Sequence, residues 1–508
     1  MRQLATFLLF ISGLVTMNGQ ERSVTDSLSY WTEMQTTLAG GDHNPLWLNA
    51  NKYGLSSLKT ASAYFRGTLK RPLSADDDRK WGLGYGVDIA VATGFTSTVV
   101  VQQAYVEGRW LKGTLTVGAK EQPMELKNQE LSTGSQTFGI NARPVPQVRI
   151  ALPDYWIIPG TRNWLALKGH IAYGKTTDDN WQKSFVAPEN RYTEDVLYHS
   201  KAGYLKIGPG RLTAELGLEM ACQFGGKSYY EVGTGEWQMI SNESGLKAYW
   251  HAFFPSGGEF NETTYMNAEG NHLGSWLMRF NYEADSWALS AYMDHFFDDH
   301  SAMFFLDYDG YGEGDEWNTR KENRYLLYDF KDMMLGMELQ LKNKTWLNRF
   351  VLEYLYSKYQ SGPVYHDRTK AFSDHVAGND NYYNHHIYTG WQHWGQVMGN
   401  PLYRSPLYNE DGQICVADNR FVAWHLGVSG QPVDLLRYRV LATYQTGYGT
   451  YNDPFTSRLH NLSLLAEVSL SLKGGWSLKG CLAMDKGKLL GDNYGAQLTI
   501  VKSGILAK

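Results

Sequence analysis

Residues 461–485 read NLSLLAEVSLSLKGGWSLKGCLAMD and contain two alternating segments that are joined by Gly474 and Gly475. In an extended chain, successive side chains point to opposite faces. The apolar face of the first segment carries Leu462, Leu464, Ala466, Val468, Leu470 and Leu472, and the polar face carries Asn461, Ser463, Glu467, Ser469 and Ser471. The second segment divides in the same way. The pattern therefore predicts an antiparallel hairpin with one apolar and one polar face.

The same period of two recurs at residues 111–120, 164–173, 350–358, 436–445 and 494–501. The segments are about ten residues long, and aromatic residues lie near their ends, as in transmembrane β-barrels. A soluble β-sandwich also alternates, but its strands average about five or six residues and its inner face is apolar. The length and the polar second face favour the barrel over the sandwich.

About seventeen or eighteen candidate strands follow, and bacterial single-chain barrels have even strand numbers. They lie near 59–70, 80–93, 98–109, 111–120, 145–152, 164–174, 196–207, 211–224, 273–284, 286–297, 301–308, 324–342 (as one strand or two pieces), 346–358, 420–431, 435–448, 461–473, 476–485 and 493–502. The predicted fold class is all-β, a closed antiparallel transmembrane β-barrel spanning 58–508. The long connections 225–272 and 359–419 are expected outside the cell or folded into the lumen. Ser23, Asp26 and Ser27 are of the capping type, so residues 20–57 are predicted to form a short periplasmic helical segment.

The first residues indicate export. Arg2 precedes an apolar run over residues 4–15, and small or polar residues follow up to Gly19. This order predicts a signal peptide at 1–19, with the mature chain beginning near Gln20. An uncleaved anchor helix is the alternative. The expected location is the outer membrane of a Gram-negative bacterium, with loops at the cell surface and lipid, including lipopolysaccharide, around the barrel. We expect a monomer.

Composition excludes several classes of function. The net charge is −5, with 47 basic and 52 acidic residues, so no basic face for nucleic acid is indicated. The three cysteines are far apart, which predicts neither a zinc site nor a disulfide framework, and no cofactor is expected. Aromatic residues are 14% of the chain, which fits interfacial girdles or sugar-binding plates.

Residues 366–406 read HDRTKAFSDHVAGNDNYYNHHIYTGWQHWGQVMGNPLYRSP and hold five of the fourteen histidines. A sugar offers an apolar ring face and a rim of hydroxyls, so its binding site needs aromatic plates beside hydrogen-bonding groups, and an acidic sugar also needs a cation. The predicted polysaccharide-binding residues are Tyr382, Tyr383, His385, His386, Tyr388, Trp391, His393, Trp394 and Arg404. The alternatives are a loop that packs on itself, or a ligand site in 225–272 around Trp237, Tyr249 and Trp250.

Other chemistries have weaker signals. His385, His386 and His393 are possible transition-metal ligands, but no carboxylate or cysteine completes a known spacing, so no metal site is predicted. No nucleophile or zinc-protease motif occurs, and no catalytic residue is predicted. The strand pattern places Lys168, His170, Arg437 and Arg439 on lumen faces. Such charges suit a porin for anionic or saccharide solutes, which is the alternative function.

Several short motifs resemble the Wzi-type capsule assembly family. In chain order they are NPLW at 44–47, KYG at 52–54, QAYVE at 103–107, VGAKE at 117–121, LSTG at 131–134 and NARPVPQV at 141–148, with further similarity near 380–406. The resemblance implies an eighteen-stranded outer-membrane barrel with periplasmic helical elements. It also implies a lectin that helps to assemble or attach capsular polysaccharide and that is not an enzyme. The chain departs from many such barrels by ending in Ala507 and Lys508 instead of an aromatic residue.

Overall fold

The computed structural model describes residues 25–188, 190–231, 235–256, 269–298, 305–311, 314–316, 319–326, 331–342, 346–366 and 375–506. Eighteen strands form one sheet in which each strand pairs with the next along the chain. The first strand also pairs antiparallel with the last, so that Ser29 lies opposite Ile505 and Gly40 opposite Tyr494. This pairing closes the sheet and leaves no free edge. The predicted eighteen-stranded closed barrel is confirmed, while the predicted signal peptide lies outside the described residues.

The barrel strands are numbered here in chain order. They are β1 Ser29–Gly40, β2 Ala61–Arg71, β3 Trp81–Thr93, β4 Val99–Trp110, β5 Gly113–Ala119, β6 Gln147–Ile157, β7 Leu165–Lys175, β8 Leu197–Ile207, β9 Leu212–Phe224, β10 Asn271–Glu283, β11 Trp287–Asp298, β12 Met333–Leu341, β13 Arg349–Tyr356, β14 Phe421–Val433, β15 Leu436–Gly449, β16 Pro454–Leu472, β17 Trp476–Gly487 and β18 Asn493–Ile505. The helices, of the α or 3₁₀ type, are short: Leu46–Asn49, Leu73–Asp76, Trp181–Phe185, Leu246–Phe253, Gly314–Glu316, Pro406–Tyr408 and Lys473–Gly475.

Among the residues that the structure describes, four small sheets lie in the loops. A three-stranded sheet is formed by Arg191–Glu194, Lys227–Glu231 and Trp237–Ser241. The others are the pairs Phe305–Tyr311 with Arg320–Leu326, Ser361–His366 with His375–Asn379, and Gln392–His393 with Gln396–Val397. Among the helices of the described ranges, none has the length and apolar character needed to cross a bilayer.

The two faces of each strand follow the alternation in the sequence. Val468 and Leu482 point outward and are 44% and 67% exposed, whereas Glu467 and Cys481 point inward and are 8% and 4% exposed. Exposed aromatic rings lie near both ends of the barrel wall, with Trp81, Trp110 and Trp476 near one end and Trp424, Tyr444 and Tyr494 near the other. An apolar outer band between two aromatic girdles is the lipid-facing surface of an outer-membrane barrel. The chain is such a barrel.

Short and long connections lie at opposite ends. Short turns such as 434–435 and 473–475 lie at the end where β1 begins and β18 finishes, here called the turn end. The long connections, among them 41–60, 120–146 and 357–420, lie at the other end, the loop end. Outer-membrane barrels keep short turns in the periplasm and long loops outside the cell. The loop end is therefore the cell-surface end.

The N-terminal expectation was wrong. The segment 20–57 was predicted to be helical and periplasmic, but β1 occupies much of it and the helix Leu46–Asn49 is a single turn at the loop end. In β1, Met34 and Leu38 face lipid while Glu33, Gln35 and Thr37 face the lumen. Threonines separate the outward apolar residues, so the alternation is weak in the sequence. Pairing with β2 and β18 supplies the hydrogen bonds that fix this segment as a strand.

A second strand was also misplaced. Residues 301–308 were predicted to form a barrel strand, but Phe305–Tyr311 instead pairs with Arg320–Leu326 in a loop hairpin. The predicted strand 324–342 divides into the end of that hairpin and β12, which begins at Met333. One missed strand and one misplaced strand compensate, so the count of eighteen holds.

The core of the molecule lies inside the barrel. Residues 120–146, the plug loop, leave the loop end after β5 and run down the lumen before β6 begins. The buried Glu353 of β13 accepts hydrogen bonds from Ser132 Oγ at 2.5 Å, Thr133 N at 2.8 Å and Thr133 Oγ1 at 2.7 Å. Tyr292 of β11 donates its hydroxyl to the same carboxyl group at 2.6 Å.

Two further wall carboxylates hold the plug loop. Asp294 of β11 accepts the backbone N–H of Gln136 at 3.0 Å and forms an ion pair with Lys127 at 2.7 Å. Glu338 of β12 accepts the side-chain amide of Asn128 at 2.7 Å. Together with those of Glu353, these bonds tie backbone and side-chain groups of the plug loop to three strands of the wall, so the plug loop is a built part of the fold.

We predict that Glu353→Ala destabilises the barrel strongly. The change leaves the Ser132, Thr133 and Tyr292 donors without their acceptor, and each orphaned donor costs about 1–3 kcal/mol. The matched control is Glu130→Ala, which removes a half-exposed ion pair with Arg437 and costs about 0–1 kcal/mol. Urea unfolding of both variants in lipid vesicles gives the two free energies. Equal losses would contradict the anchoring role of Glu353.

Candidate functional site

Residues 380–420, the cap segment, cross the loop end of the lumen above the plug loop. Trp391 donates its indole N–H to the carbonyl of Thr137 in the plug loop at 3.0 Å and stacks on Tyr198 of β8 with ring centroids 5.8 Å apart. Tyr383 donates its hydroxyl to the Gln136 carbonyl and stacks on Tyr403 at 4.1 Å. The cap segment and the plug loop therefore pack as one unit.

Five of the predicted sugar-binding residues are buried in this packing: Tyr382, Tyr383, Tyr388, Trp391 and His393. Trp391 and Tyr382 are 0% exposed. His393 donates from Nδ1 to the Arg143 carbonyl at 2.8 Å and accepts the Thr177 backbone N–H at Nε2 at 3.0 Å. Protein groups thus surround these rings, and in this structure they present no plate to a sugar.

The other four predicted residues, His385, His386, Trp394 and Arg404, are partly or fully exposed. Three of them line one cavity of about 960 Å³ at the loop end, here called the outer cavity. Its charged and imidazole groups are Asp42, His43, Arg191, Asp298, Asp380, His385, His386, Arg404, Glu410, Asp411, Asp453 and Lys488. Asn381, Asn384, Asn409, Gln413 and Asn452 add amide groups. Such a mixture of donors and acceptors suits a hydroxylated, charged ligand.

Two imidazoles of the outer cavity have a lowered pKa. His385 and His386 stack with ring centroids 4.5 Å apart. Burial, reinforced by His386 and Arg191, holds the pKa of His385 well below its ordinary value. Burial also lowers the pKa of His43, although Asp42 and Glu410 oppose that shift. His43 and His385 are therefore neutral hydrogen-bonding groups at neutral pH.

Arg404 is tethered at the edge of the outer cavity. Its Nη2 donates to the Tyr408 carbonyl at 3.0 Å, and its backbone N–H donates to the Asp418 carbonyl at 3.3 Å. Its Nε is buried and finds no hydrogen-bond partner within the described part of the chain. The Nη2 side of the guanidinium is thus fixed by a hydrogen bond, while its Nε still has a hydrogen to donate.

Trp394 stands apart from the outer cavity. Arg143 lies over its ring with the guanidinium carbon 4.1 Å from the ring centroid, a cation–π contact. Its indole N–H reaches Thr177 Oγ1 at 3.4 Å. The structure therefore brings three of the nine predicted residues into one open site, buries five in the cap packing, and places Trp394 elsewhere.

Exposed aromatic plates occur in the alternative loop instead. Trp237 and Trp250 are 40% and 61% exposed, and Tyr249 is 36% exposed. Trp237 lies in the three-stranded loop sheet that also contains Arg191, a residue of the outer cavity. Tyr192 of that sheet stacks on Tyr229 with centroids 4.6 Å apart. The sheet thus connects the outer cavity with exposed rings.

The four predicted lumen charges point inward and all contact the plug loop. Lys168 forms an ion pair with Glu125 at 2.5 Å, and Arg437 forms one with Glu130 at 3.0 Å. Arg439 donates to the Glu130 carbonyl at 2.8 Å. His170 lies against Phe138, with ring centroids 5.6 Å apart. These groups hold the plug loop in place in this structure.

Sequence reasoning missed several groups of the outer cavity. Asp42 and His43 lie in a segment that was expected in the periplasm, and Arg191 and Lys488 belong to loops that carried no motif. Strand order could have found them, because every connection at the loop end meets the same mouth once the parity of the strands is known. Because β1 was not predicted, the connection 41–60 was assigned to the periplasmic end of the barrel and not to the loop end.

The comparison with solved structures agrees with this architecture, and the two comparisons of sequence found no match. No family model matches the chain. No curated protein matches it either. The solved structure of Wzi from Escherichia coli, described as a carbohydrate-binding β-barrel involved in group 1 capsule assembly, has a TM-score of 0.54 at 13% identity and covers 99% of this chain and 88% of its own.

Two barrels from Pseudomonas aeruginosa are similar at lower scores. OprD has a TM-score of 0.43 at 11% identity over 95% of this chain and 96% of its own. OccK2 has a TM-score of 0.46 at 8% identity over 95% of this chain and 98% of its own. At these identities, the likeness to Wzi shows a shared fold.

Asp418 gives the cap segment a pH response. It is 0% exposed, and its Oδ1 accepts the backbone N–H groups of Tyr448 at 3.1 Å and Gly449 at 2.9 Å. Burial raises its pKa to about 7, against the opposing effect of those hydrogen bonds. The folded state therefore holds a proton that the unfolded chain releases near its ordinary value of about 3.9.

We predict that this group lowers stability as pH rises from about 4 to 7, because the native state binds the extra proton over that window. Asp418→Asn keeps an oxygen acceptor for both N–H groups and removes the titration. Its melting temperature should therefore fall less than that of the unaltered chain between pH 4.5 and 7.5. Identical pH profiles for the two proteins would show that Asp418 does not titrate in this range.

Proposed function

We propose that this outer-membrane barrel binds surface polysaccharide, capsular polysaccharide in particular, in the outer cavity and assists capsule assembly or attachment without catalysing a reaction. The observation that carries the proposal is the arrangement of the loop end. A large polar cavity faces the cell surface, directly above a lumen that the plug loop and cap segment occupy. Such a barrel is built to hold a ligand at its mouth.

The chemistry of the outer cavity suits a glycan. Arg191, Arg404 and Lys488 can pair with sugar carboxylates, and the surrounding amides and carboxylates can bond to hydroxyl groups. The exposed ring of Trp237, joined to the cavity by the loop sheet, and that of Trp250, in the helix Leu246–Phe253, are plates on which sugar faces can stack. Both features lie at the end where a capsule would be.

Two similarities add support. The Wzi structure, whose fold this chain shares, is described as a carbohydrate-binding barrel in capsule assembly. The motifs that resemble Wzi-type proteins lie in strands of the wall and in segments packed inside the lumen, where Trp47 donates to Thr443 of β15 at 3.1 Å and Thr133 bonds to Glu353. As a further part of the proposal, the barrel acts as a monomer in a lipid bilayer that contains lipopolysaccharide.

A substrate-specific porin for anionic or saccharide solutes is the second candidate. Lys168, His170, Arg437 and Arg439 do line the lumen, as a porin would need. Each of them contacts the plug loop, however, so a solute path along these charges requires that loop to move. This requirement makes the porin the less economical interpretation.

We predict that Lys488→Ala and Arg404→Gln each weaken binding of purified acidic capsular polysaccharide by about tenfold or more, because a hydrogen bond to a charged group contributes about 1.5–3 kcal/mol. The matched control is Lys473→Ala, an exposed lysine in a turn-end connection, which should bind normally. Binding is measured on purified barrels in detergent by biolayer interferometry. The proposal fails if the polysaccharide does not bind the unaltered barrel, or if all three variants bind as it does.

A further inference from the structure

A second cavity lies inside the barrel, between the plug loop and the wall formed by β4–β8. Its volume is about 350 Å³. It reaches from Leu73 and Pro153, near the turn end, to Trp391 and Met398 of the cap segment. None of its lining residues lines the outer cavity. This lumen cavity is therefore a separate site.

The acidic groups of the lumen cavity are all neutralised by ion pairs. Glu107 pairs with Lys120, Glu121 with Arg66 at 3.1 Å, and Glu125 with Lys168 at 2.5 Å. Two arginines of the lining, Arg143 and Arg149, have no carboxylate partner among the described residues. The lining as a whole therefore carries an excess of positive charge.

Arg149 is the more available of these two cations. It lies on the inward face of β6, opposite Thr116 of β5 and Ala172 of β7. In the described part of the chain, it makes neither a hydrogen bond nor an ion pair. Arg143, by contrast, bonds to Thr96 at 3.0 Å and covers the ring of Trp394. Glu125 and Glu219 lie near enough to act on the Arg149 guanidinium, but neither forms an ion pair with it, so its donors remain open to a ligand.

Neutral groups of the lining also lack partners. His170 is 9% exposed, and its Nε2 has no hydrogen-bond partner within the described ranges. The Oε1 atom of Gln147, two residues before Arg149, is buried without a partner as well. Buried polar groups are normally satisfied. Orphaned atoms of two side chains beside an arginine whose donors are unused point to a polar ligand.

We propose that the lumen cavity binds a small organic anion that carries a carboxylate and has about the size of one sugar acid, with Arg149 as its ionic partner. The planar guanidinium can donate two parallel hydrogen bonds to a carboxylate. His170 and Gln147 then meet the ligand's hydroxyl groups, and the rings of Tyr198 and Tyr204 face its apolar side. A volume of about 350 Å³ is at the lower end of the range of small-molecule sites.

Calorimetric titration of the purified full-length barrel with galacturonate tests this site, and galactose serves as the uncharged counterpart. Galacturonate should bind at one site per chain, and galactose at least tenfold more weakly. Arg149→Gln should weaken galacturonate binding by tenfold or more. Arg149→Lys, which keeps the charge but loses the planar fork, should give an intermediate affinity. Lys473→Gln, a change in an exposed turn-end connection outside this cavity, should leave the affinity unchanged.

Heat-modifiable gel mobility of each variant shows whether the barrel is closed, so a folding defect is separated from a binding defect. If Arg149→Gln does not fold, the affinity of Arg149→Lys, compared with that of the unaltered chain and of Lys473→Gln, still tests the role of Arg149. The inference is overturned if galacturonate does not bind, if galactose binds equally well, or if the Arg149 variants bind like the unaltered chain. Capsular polysaccharide, too large for this cavity, should bind the Arg149→Gln barrel normally, so this site and the outer cavity succeed or fail independently.

Discussion

The carboxyl group of Glu353 and the neighbouring carboxylates of the wall hold the plug loop inside the lumen, and the rest of the structure depends on this contact. A barrel of this width has an interior that side chains of the wall cannot fill by themselves. Here the wall presents Asp294, Glu338 and Glu353 to a segment of its own chain, whose backbone, amide and hydroxyl groups donate hydrogen bonds to them. Because a buried acceptor without a donor is costly, plug and wall stabilise each other. The result is a barrel with a packed polar and aromatic core in place of a water-filled channel.

The position of the plug loop fixes where a ligand can be held. The cap segment rests on it through Trp391 and Tyr383, and these contacts set the floor of the outer cavity. The same plug loop forms one side of the lumen cavity beside Arg149. Both proposed sites therefore depend on one element that is far from the lipid. A change in the plug is expected to alter ligand binding at the cell surface without altering the outer face of the barrel.

The sequence predicted the strands of the barrel wall better than the segments that fill the lumen. Alternation placed Val468 toward lipid and Glu467 toward the lumen, since lipid on one side and polar contacts on the other impose a period of two. β1 was missed because threonines interrupt its apolar face, and its true role depends on pairing with β18 at the far end of the chain. Pairing between residues so distant in sequence leaves no local signal.

The candidate site was predicted only in part, for a similar reason. Trp391 and His386 lie five residues apart in a segment rich in aromatic residues, and composition treats them alike. The fold buries the indole of Trp391 against Tyr198 and leaves His386 exposed in the outer cavity. Whether a ring becomes a binding plate or a core residue is decided by the wall behind it. The inward direction of Lys168 and Arg437 was predictable, but their plug partners Glu125 and Glu130 were not.

The account rests on a lumen that is occupied in the folded protein, and single-channel recording in planar bilayers tests this claim most directly. The unaltered barrel should give almost no steady conductance, whereas a variant with residues 124–140 replaced by a short glycine–serine linker should open stable channels. A large, steady conductance from the unaltered barrel, equal to that of the shortened variant, would contradict a plugged barrel that binds its ligand at the cell surface.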